Sequence, residues 1–426
     1  MPSMDDKSET LKLQSQHGEV RSVVLESDSV ESPENVREEV RGSVLALAQP
    51  EQRYFQDLRK ETGETHYSFS RVVELLAEHK LSHGFSPERI DDRISLAMKI
   101  PEVREIFDIT TPEITDLSET LEVKNDGKVY AIRMDLNKGV DNHKKYVVAS
   151  LILRGLLNGS LFQKKIDTLI DGGNFNSAKA LRFYCERFGM KGMYVMSRLF
   201  PEEILTMLRT DEFSIIQAPA RYEKRREVEF YEYLFELIKK SDFRKNKYCL
   251  WHAKHGGEAT KWLGEEIAGT LPELPEFVVS CLGAGSTLEG IQIPIKEHTG
   301  CKIVIPEHGK SQLFARLNPN VSHVETAGIP LSHGYKFYEG LPHTVIGPHF
   351  DEINPLLSEK AIQQIDQVMV YEDVNWQNIA SILMSKGLSV GNSSAANIAC
   401  AKNIADLGHN VLTIIFEPQR SFYVKS

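Results

Sequence analysis

Three glycine-rich segments carry the side chains of this chain best suited to chemistry. The first is Cys281-Leu282-Gly283-Ala284-Gly285-Ser286-Thr287-Leu288-Glu289-Gly290, which directly follows the apolar run Phe277 to Ser280. Glycines let a backbone approach an anion closely, and the N–H groups and the Ser286 and Thr287 hydroxyls can donate to it, so a phosphate-sized group fits. Taken alone, the segment reads equally well as a structural strand-to-helix turn, which needs small residues for packing. Two further segments share the arrangement: Asp171-Gly172-Gly173-Asn174-Phe175-Asn176-Ser177 after Leu169-Ile170, and Gly391-Asn392-Ser393-Ser394-Ala395-Ala396. Each places polar side chains where a strand ends and a helix opens, the end of an open α/β sheet at which ligands collect.

The elements that must position these loops follow from periodicity. Val129 to Met134, Phe277 to Ser280, Lys302 to Ile305 and Val411 to Phe416 read as buried strands, with helical stretches between them. One helix is expected from the Asp171 loop through Cys185 to Gly189, and another from the Gly391 loop to just before Asp406. This alternation predicts an α/β fold with mostly parallel sheets covered by helices on both faces. Upstream, Phe69, Val72, Val73, Leu75 and Leu76, then Leu96, Ala97 and Ile100, form two helical stripes that predict a small helical layer over about 49–108. Between them Gly84 can end one helix and Ser86-Pro87 can begin the next.

Composition narrows the function classes. The 426 residues are 41% hydrophobic and 26% charged, with a net charge of −10. A soluble globular chain of more than one lobe is expected, and the acidic balance disfavours nucleic acid as a partner. No apolar run approaches a membrane span and the start of the chain is too polar for a secretory signal, so a cytoplasmic protein is expected. Residues 1 to about 48 form an acidic segment, with ten acidic against five basic side chains in the first 45, and read as a flexible tail. The five cysteines are dispersed, without a CxxC pair, which suggests neither a disulfide framework nor a thiolate metal site. Cys249, His252, His255 and Glu258 recur every three residues, but the spacing matches no standard zinc pattern and Gly256-Gly257 is expected to interrupt a helix there. No metal is expected.

From about Thr111 to the C-terminus the order of these segments resembles the pyridoxal-5′-phosphate enzymes of fold type II, the tryptophan synthase β-like group, and within it cysteine synthase and cystathionine β-synthase. Thr111-Pro112 looks like the opening motif, and Asn137 to Lys144 like the loop ending in the cofactor-bearing lysine. Gly173-Asn174 resembles the substrate loop, Gly283 to Thr287 the phosphate cradle, and Gly391 to Ser394 the stretch beside the pyridine nitrogen; Pro306-Glu307, Gly347 and the helix after Asp373 fall in the same order. A dinucleotide-binding reading of Gly283 to Gly290 explains neither Asn174 nor the Ser393 loop.

The resemblance implies a two-lobed catalytic region over 109–426, with a smaller lobe of about 144–255 inserted in the larger. It implies pyridoxal 5′-phosphate as cofactor, an amino acid as substrate and a homodimer. Lys144 rather than its neighbour Lys145 matches the spacing of roughly thirty residues to the loop asparagine. Lys144 would carry the cofactor and then act as base; Asn174 would bond the ring oxygen; and Gly283, Ala284, Gly285, Ser286 and Thr287 would hold the phosphate. Ser393 would face the pyridine nitrogen, where a neutral hydroxyl stabilises a protonated ring less than a carboxylate does, which favours β-elimination and β-replacement over transamination.

The substrate loop departs from the pattern. Where hydroxyl side chains usually receive the α-carboxylate, this chain has Asp171 and Gly172, and His252 stands where a glutamine is usual. An ionised Asp171 facing the substrate would repel a carboxylate. Asp171, Gly172, Gly173 and His252 are therefore expected to form an altered substrate site. An ammonia-lyase or racemase of a hydroxy amino acid, or a degenerate homologue acting as a binding protein, are the alternatives.

Overall fold

In the computed structural model the described residues are 69–81, 90–161, 166–197, 200, 202–219, 229–309, 322–324 and 357–419. The acidic segment 1–48, the capping residues read at 84–87 and Gly347 lie outside them. Eleven strands are described, in two sheets. The larger contains β1 (Glu113–Asp116), β2 (Lys128–Arg133), β7 (Phe277–Val279), β8 (Lys302–His308), β9 (Ser322–Val324), β10 (Gln367–Tyr371) and β11 (Asn410–Ile415), in the order β1-β2-β11-β7-β8-β10-β9. Only the β1–β2 pairing is antiparallel. The smaller sheet is all parallel, order β5-β4-β3-β6, from β3 (Thr168–Gly172), β4 (Lys191–Met196), β5 (Phe213–Gln217) and β6 (Lys247–Cys249). Its strands come from the stretch of chain between β2 and β7, so the two sheets are the two lobes.

The strands read from sequence recur within a residue or so at one end, except that β8 runs on to His308. The strands β1, β4, β5, β6, β9 and β10 escaped the reading, being short or, like Lys191–Met196, broken by glycine and a charge. Both expected loop-opened helices form. Phe175–Phe188 is capped by Asn174 and ended by Gly189 at φ 63°, and Asn392–Ala405 stops at Asp406. Glycine tolerates that left-handed end without the Cβ penalty other residues meet.

The helix Lys144–Leu157, in which every residue but Arg154 is buried, packs on the helices Phe175–Phe188, His252–Ala259 and Ile90–Ala97. Buried on nearly all sides, it is the central helix of the core. The upstream helices Phe69–Glu78, Ile90–Ala97 and Pro101–Ile106 join the same core: Val72, Ile94 and Phe107 cluster with Tyr146, Ile152, Leu181 and Val278. Leu96, read as part of the buried stripe, is instead half exposed, and the stripe is completed by Ile90, Ile94 and Ala97.

A second correction concerns Gly256-Gly257, which lie inside the helix His252–Ala259 rather than interrupting it. The glycines serve packing. A Cβ at Gly256 would lie 2.9 Å from Val147 Cγ1 and 3.3 Å from Ser286 Cβ, and one at Gly257 would meet the Cβ of Glu289 at 2.5 Å. Close approach of this helix to its neighbours outweighs the propensity cost of two glycines, about 1 kcal/mol each.

Candidate active site

Three consecutive residues at the start of the central helix face three different neighbours, because successive side chains on a helix are about 100° apart. Lys144 is 4% exposed and its Nζ donates to Ser286 Oγ at 2.9 Å. Lys145 Nζ turns the other way, pairing with Asp108 Oδ2 at 2.6 Å and donating to the Lys138 carbonyl at 2.8 Å. The Tyr146 hydroxyl lies 2.8 Å from the Thr110 carbonyl and 2.7 Å from Asn137 Oδ1. The loop before Lys144 is tied in turn: Asn137 Nδ2 donates to the Asn142 carbonyl at 3.1 Å, and Asn142 Oδ1 accepts the Lys144 N–H at 2.9 Å.

Burial pushes the Lys144 ammonium down to about 8, the negative charge of Asp171 pulling in the opposite direction. Loss of hydration disfavours the charged form, so near neutrality Lys144 gives up its proton far more readily than an exposed lysine. Lys145 is also lowered by burial, but its carboxylate partner holds a charge there.

Ser286 belongs to the glycine-rich turn after β7. Gly285 sits at φ 93°, and Ser286 and Thr287 are buried. The turn is fastened to the helix Asn392–Ala405 through Asn397, whose Oδ1 accepts the Cys281 N–H at 2.7 Å and whose Nδ2 donates to the Ile414 carbonyl at 3.2 Å. The Ser393 carbonyl lies 3.9 Å from Cys281 Sγ, and Ser394 Oγ accepts the Phe416 N–H at 2.9 Å. Ser393 itself is 9% exposed. The His143 N–H donates to the Phe416 carbonyl at 3.3 Å, and burial, then the charges of Lys144 and His252, push its imidazole well below the usual range. The lysine, the turn and the Ser393 loop are thus one contiguous construction. Ala284 extends it to the smaller lobe, packing with Ile170 and Ala253.

Asp171 is the next-to-last residue of β3 and is 2% exposed. Its Oδ1 accepts the Gly172 N–H at 2.9 Å, while Oδ2 accepts the His252 N–H at 3.2 Å and lies 3.1 Å from His252 Nδ1. Both carboxylate oxygens are therefore engaged within the protein. His252 Nε2 lies 3.3 Å from the Tyr231 hydroxyl. Asn174 caps its helix, Oδ1 accepting the Ser177 N–H at 3.4 Å, and Ser177 Oγ lies 2.6 Å from the Tyr194 hydroxyl. Gly173 separates the two networks: a Cβ there would lie 2.7 Å from Tyr194 Oη and 2.8 Å from His252 Cε1.

Tyr231, Tyr194, Asp108 and Tyr146 escaped sequence reading. They lie on separate elements and no local spacing connects them to the loops they meet. Of the residues recurring every three positions, His252 is engaged by Asp171 and Glu258 is half exposed; among the described residues no group of three or more His, Cys, Asp or Glu could hold a metal.

The turn donors, the buried lysine and the neutral serine loop fit a phosphorylated cofactor that attaches to an amine. Comparison with known proteins agrees. No curated protein sequence matches the chain. Among solved structures, O-ureido-L-serine synthase superposes with a TM-score of 0.60 at 17% identity, covering 75% of this chain and 93% of that one. The O-acetylserine dependent cystathionine β-synthase from Helicobacter pylori gives 0.58 at 20% identity over 77% of this chain and 98% of its own. The O-acetyl serine sulfhydrylase isoform 3 from Entamoeba histolytica gives 0.58 at 15% identity, over 75% and 90%. These likenesses establish a shared fold, and the family profile described as "Pyridoxal-phosphate dependent enzyme" matches residues 111–416. Since that match spans well over half of the chain, this protein belongs to the pyridoxal-phosphate dependent enzymes of fold type II, and pyridoxal 5′-phosphate is its cofactor.

Proposed function

We propose that the protein catalyses β-elimination or β-replacement on an amino acid, with Lys144 as the residue that attaches the cofactor and then moves the substrate's α-proton. One observation carries this reading: of two adjacent buried lysines, Lys144 is directed to the glycine-rich turn and lowered to about 8, while Lys145 is committed to Asp108. An amine close to neutrality can both attack a carbonyl and accept a proton.

Gly283, Ala284, Gly285, Ser286 and Thr287 would hold the phosphate through backbone N–H groups and hydroxyls. Ser393, at the N-terminus of its helix, would face the ring nitrogen, and Asn174 the ring oxygen. The bound cofactor supplies an electron sink for the pair left when the α-proton is removed. The residues of the chain do the rest: the turn orients, Lys144 holds or moves the proton at Nζ, and the Asp171 to Asn174 loop with His252 forms the substrate wall. A neutral group at Ser393 keeps that sink modest, which favours loss of a β-substituent over transamination. The synthases that share the fold are named for serine derivatives, which supports an amino acid of that kind. We expect a homodimer in the cytoplasm; among the described residues no helix is long and apolar enough to cross a membrane.

The test is spectroscopic. Wild-type protein mixed with the cofactor should develop a visible band that shifts on adding β-substituted amino acids, with release of the substituent. The Lys144→Ala variant should show neither. A wild-type protein that stays colourless with added cofactor would sink this reading.

A further inference from the structure

The departure at the substrate loop does not leave Asp171 facing a substrate. Its two oxygens are taken by the Gly172 N–H and by the backbone and ring of His252, at 2.9, 3.2 and 3.1 Å. The carboxylate is acceptor-only, so the ring nitrogen turned to it, Nδ1, carries the proton. That leaves Nε2 as the working atom, 3.3 Å from the Tyr231 hydroxyl. Three elements supply the three groups: β3, the helix His252–Ala259 and the helix Glu229–Lys239. An imidazole held between a carboxylate and a hydroxyl can gain or lose a proton at Nε2 without reorienting, the requirement for acid–base work.

The location is specific. The Cε1 edge of His252 backs onto Gly173 of the substrate loop, and one turn along the same helix Gly256 packs on Ser286, the partner of Lys144. The helix therefore spans the wall from the substrate loop to the lysine. We infer that His252, positioned by Asp171 and Tyr231, is a second acid–base group of this site, one that protonates the substrate's departing β-substituent and so admits amino acids whose leaving group is a hydroxyl. The inference rests on the function proposed above.

The proton balance is complete. Lys144 Nζ takes the α-proton. The Cβ–O bond breaks with its electron pair on oxygen, and that oxygen takes the Nε2 proton, either directly or through the Tyr231 hydroxyl, which gives its proton and receives that of Nε2. Water leaves, His252 ends neutral with Nδ1–H still toward Asp171, and solvent restores its proton while Lys144 returns one. An ester leaving group departs as a weakly basic carboxylate and needs no such acid. Hydroxyl substrates should therefore depend on His252, whereas an ester substrate should turn over largely without it. The titratable groups whose charges act on this cluster are Asp171 from β3, Tyr231, His143 and Lys144 from the central helix, Tyr194 from β4, Cys249 from β6 and His255 from the same helix.

The experiment compares L-serine and L-threonine with O-acetyl-L-serine on the full-length holoenzyme. His252→Gln should lower kcat for the hydroxy amino acids by about a hundredfold or more, within the range a general acid supplies, and for O-acetyl-L-serine by less than about tenfold. Tyr231→Phe should lower the hydroxyl rates selectively and keep the cofactor on Lys144, which decides the matter if the histidine variant fails to fold. Independently of turnover, ¹⁵N-histidine spectra of the cofactor-free protein should show His252 protonated at Nδ1, and Asp171→Asn should change that state. Equal losses on both substrate kinds, no turnover of hydroxy amino acids by the wild type, or a proton on Nε2 alone would each overturn the inference while leaving a cofactor band on Lys144 intact. Absence of that band would instead overturn the proposed function.

Discussion

At the level of single residues, the contrast between Lys144 and Lys145 shows how environment divides labour between identical side chains. Lys144 is buried against a hydroxyl and has no carboxylate in hydrogen-bond contact, so the cofactor-free fold holds it at a cost. Its folded pKa, about 8, lies below the ordinary 10.5. Between those values the unfolded chain binds more protons than the folded one, so stability should rise with pH across that window and the penalty should be full below it. Lys144→Met should therefore stabilise the cofactor-free protein at pH 7 by roughly 1–3 kcal/mol. Denaturant titrations at pH 7 and pH 10 check this, the gain being largest at pH 7; a variant less stable than wild type at pH 7 would contradict it. The glycine-rich turns at 171–174 and 283–287 were legible because their chemistry is local: strand, small residues, polar side chains, helix; the turn at 391–394 opens its helix as expected but follows the helix Asp373–Ser385 rather than a strand. The partners of those loops were not legible. Nothing near Lys145 in sequence announces Asp108, and nothing near His252 announces Tyr231, because folding alone brings them together.

Elements were read less evenly than loops. Buried parallel strands declare themselves by β-branched runs, whereas β5 and β6, short and only partly buried, look like connecting chain. The helical layer was visible as two stripes but not as a support for the lysine loop, a role that depends on Lys145–Asp108, on Tyr146 and on the pairing of Arg154 with Asp91. Removing the acidic half of the Lys145 pair strands a buried ammonium, whereas removing the lysine strands a carboxylate that is about a third exposed. Asp108→Ala should therefore lower the melting temperature more than Lys145→Met, and the reverse order in a thermal scan would contradict this account. Glycine inside helices was misread as interruption, although it marks contact. At Gly264 a Cβ would lie 2.7 Å from the Gly290 carbonyl oxygen and 2.9 Å from Ile291 Cα, backbone atoms that cannot swing aside. Gly264→Ala should cost about 1–3 kcal/mol of stability, measured by chemical unfolding, in contrast to the gain alanine usually brings to a helix.

For the molecule as a whole, one apolar cluster that runs from Val72 through Ile152 to Ile303 joins the central helix to one face of each sheet, and two further clusters cover the opposite faces. The alternation of strands and helices was enough to foresee a parallel α/β architecture. The strand order β1-β2-β11-β7-β8-β10-β9 was not, since long-range pairing leaves no local trace. The consequence for function is that the lysine loop, the glycine-rich turn and the Ser393 loop, spread over more than two hundred residues of chain, converge at the carboxyl ends of strands of the larger sheet, with the Asp171 loop facing them from the smaller. Everything functional in this account depends on that convergence placing Lys144, and no other lysine, against the turn. The most direct test is borohydride reduction of the cofactor-loaded protein followed by peptide mapping. A single stable adduct on Lys144 is expected; an adduct on Lys145, or none on either, would contradict the assignment.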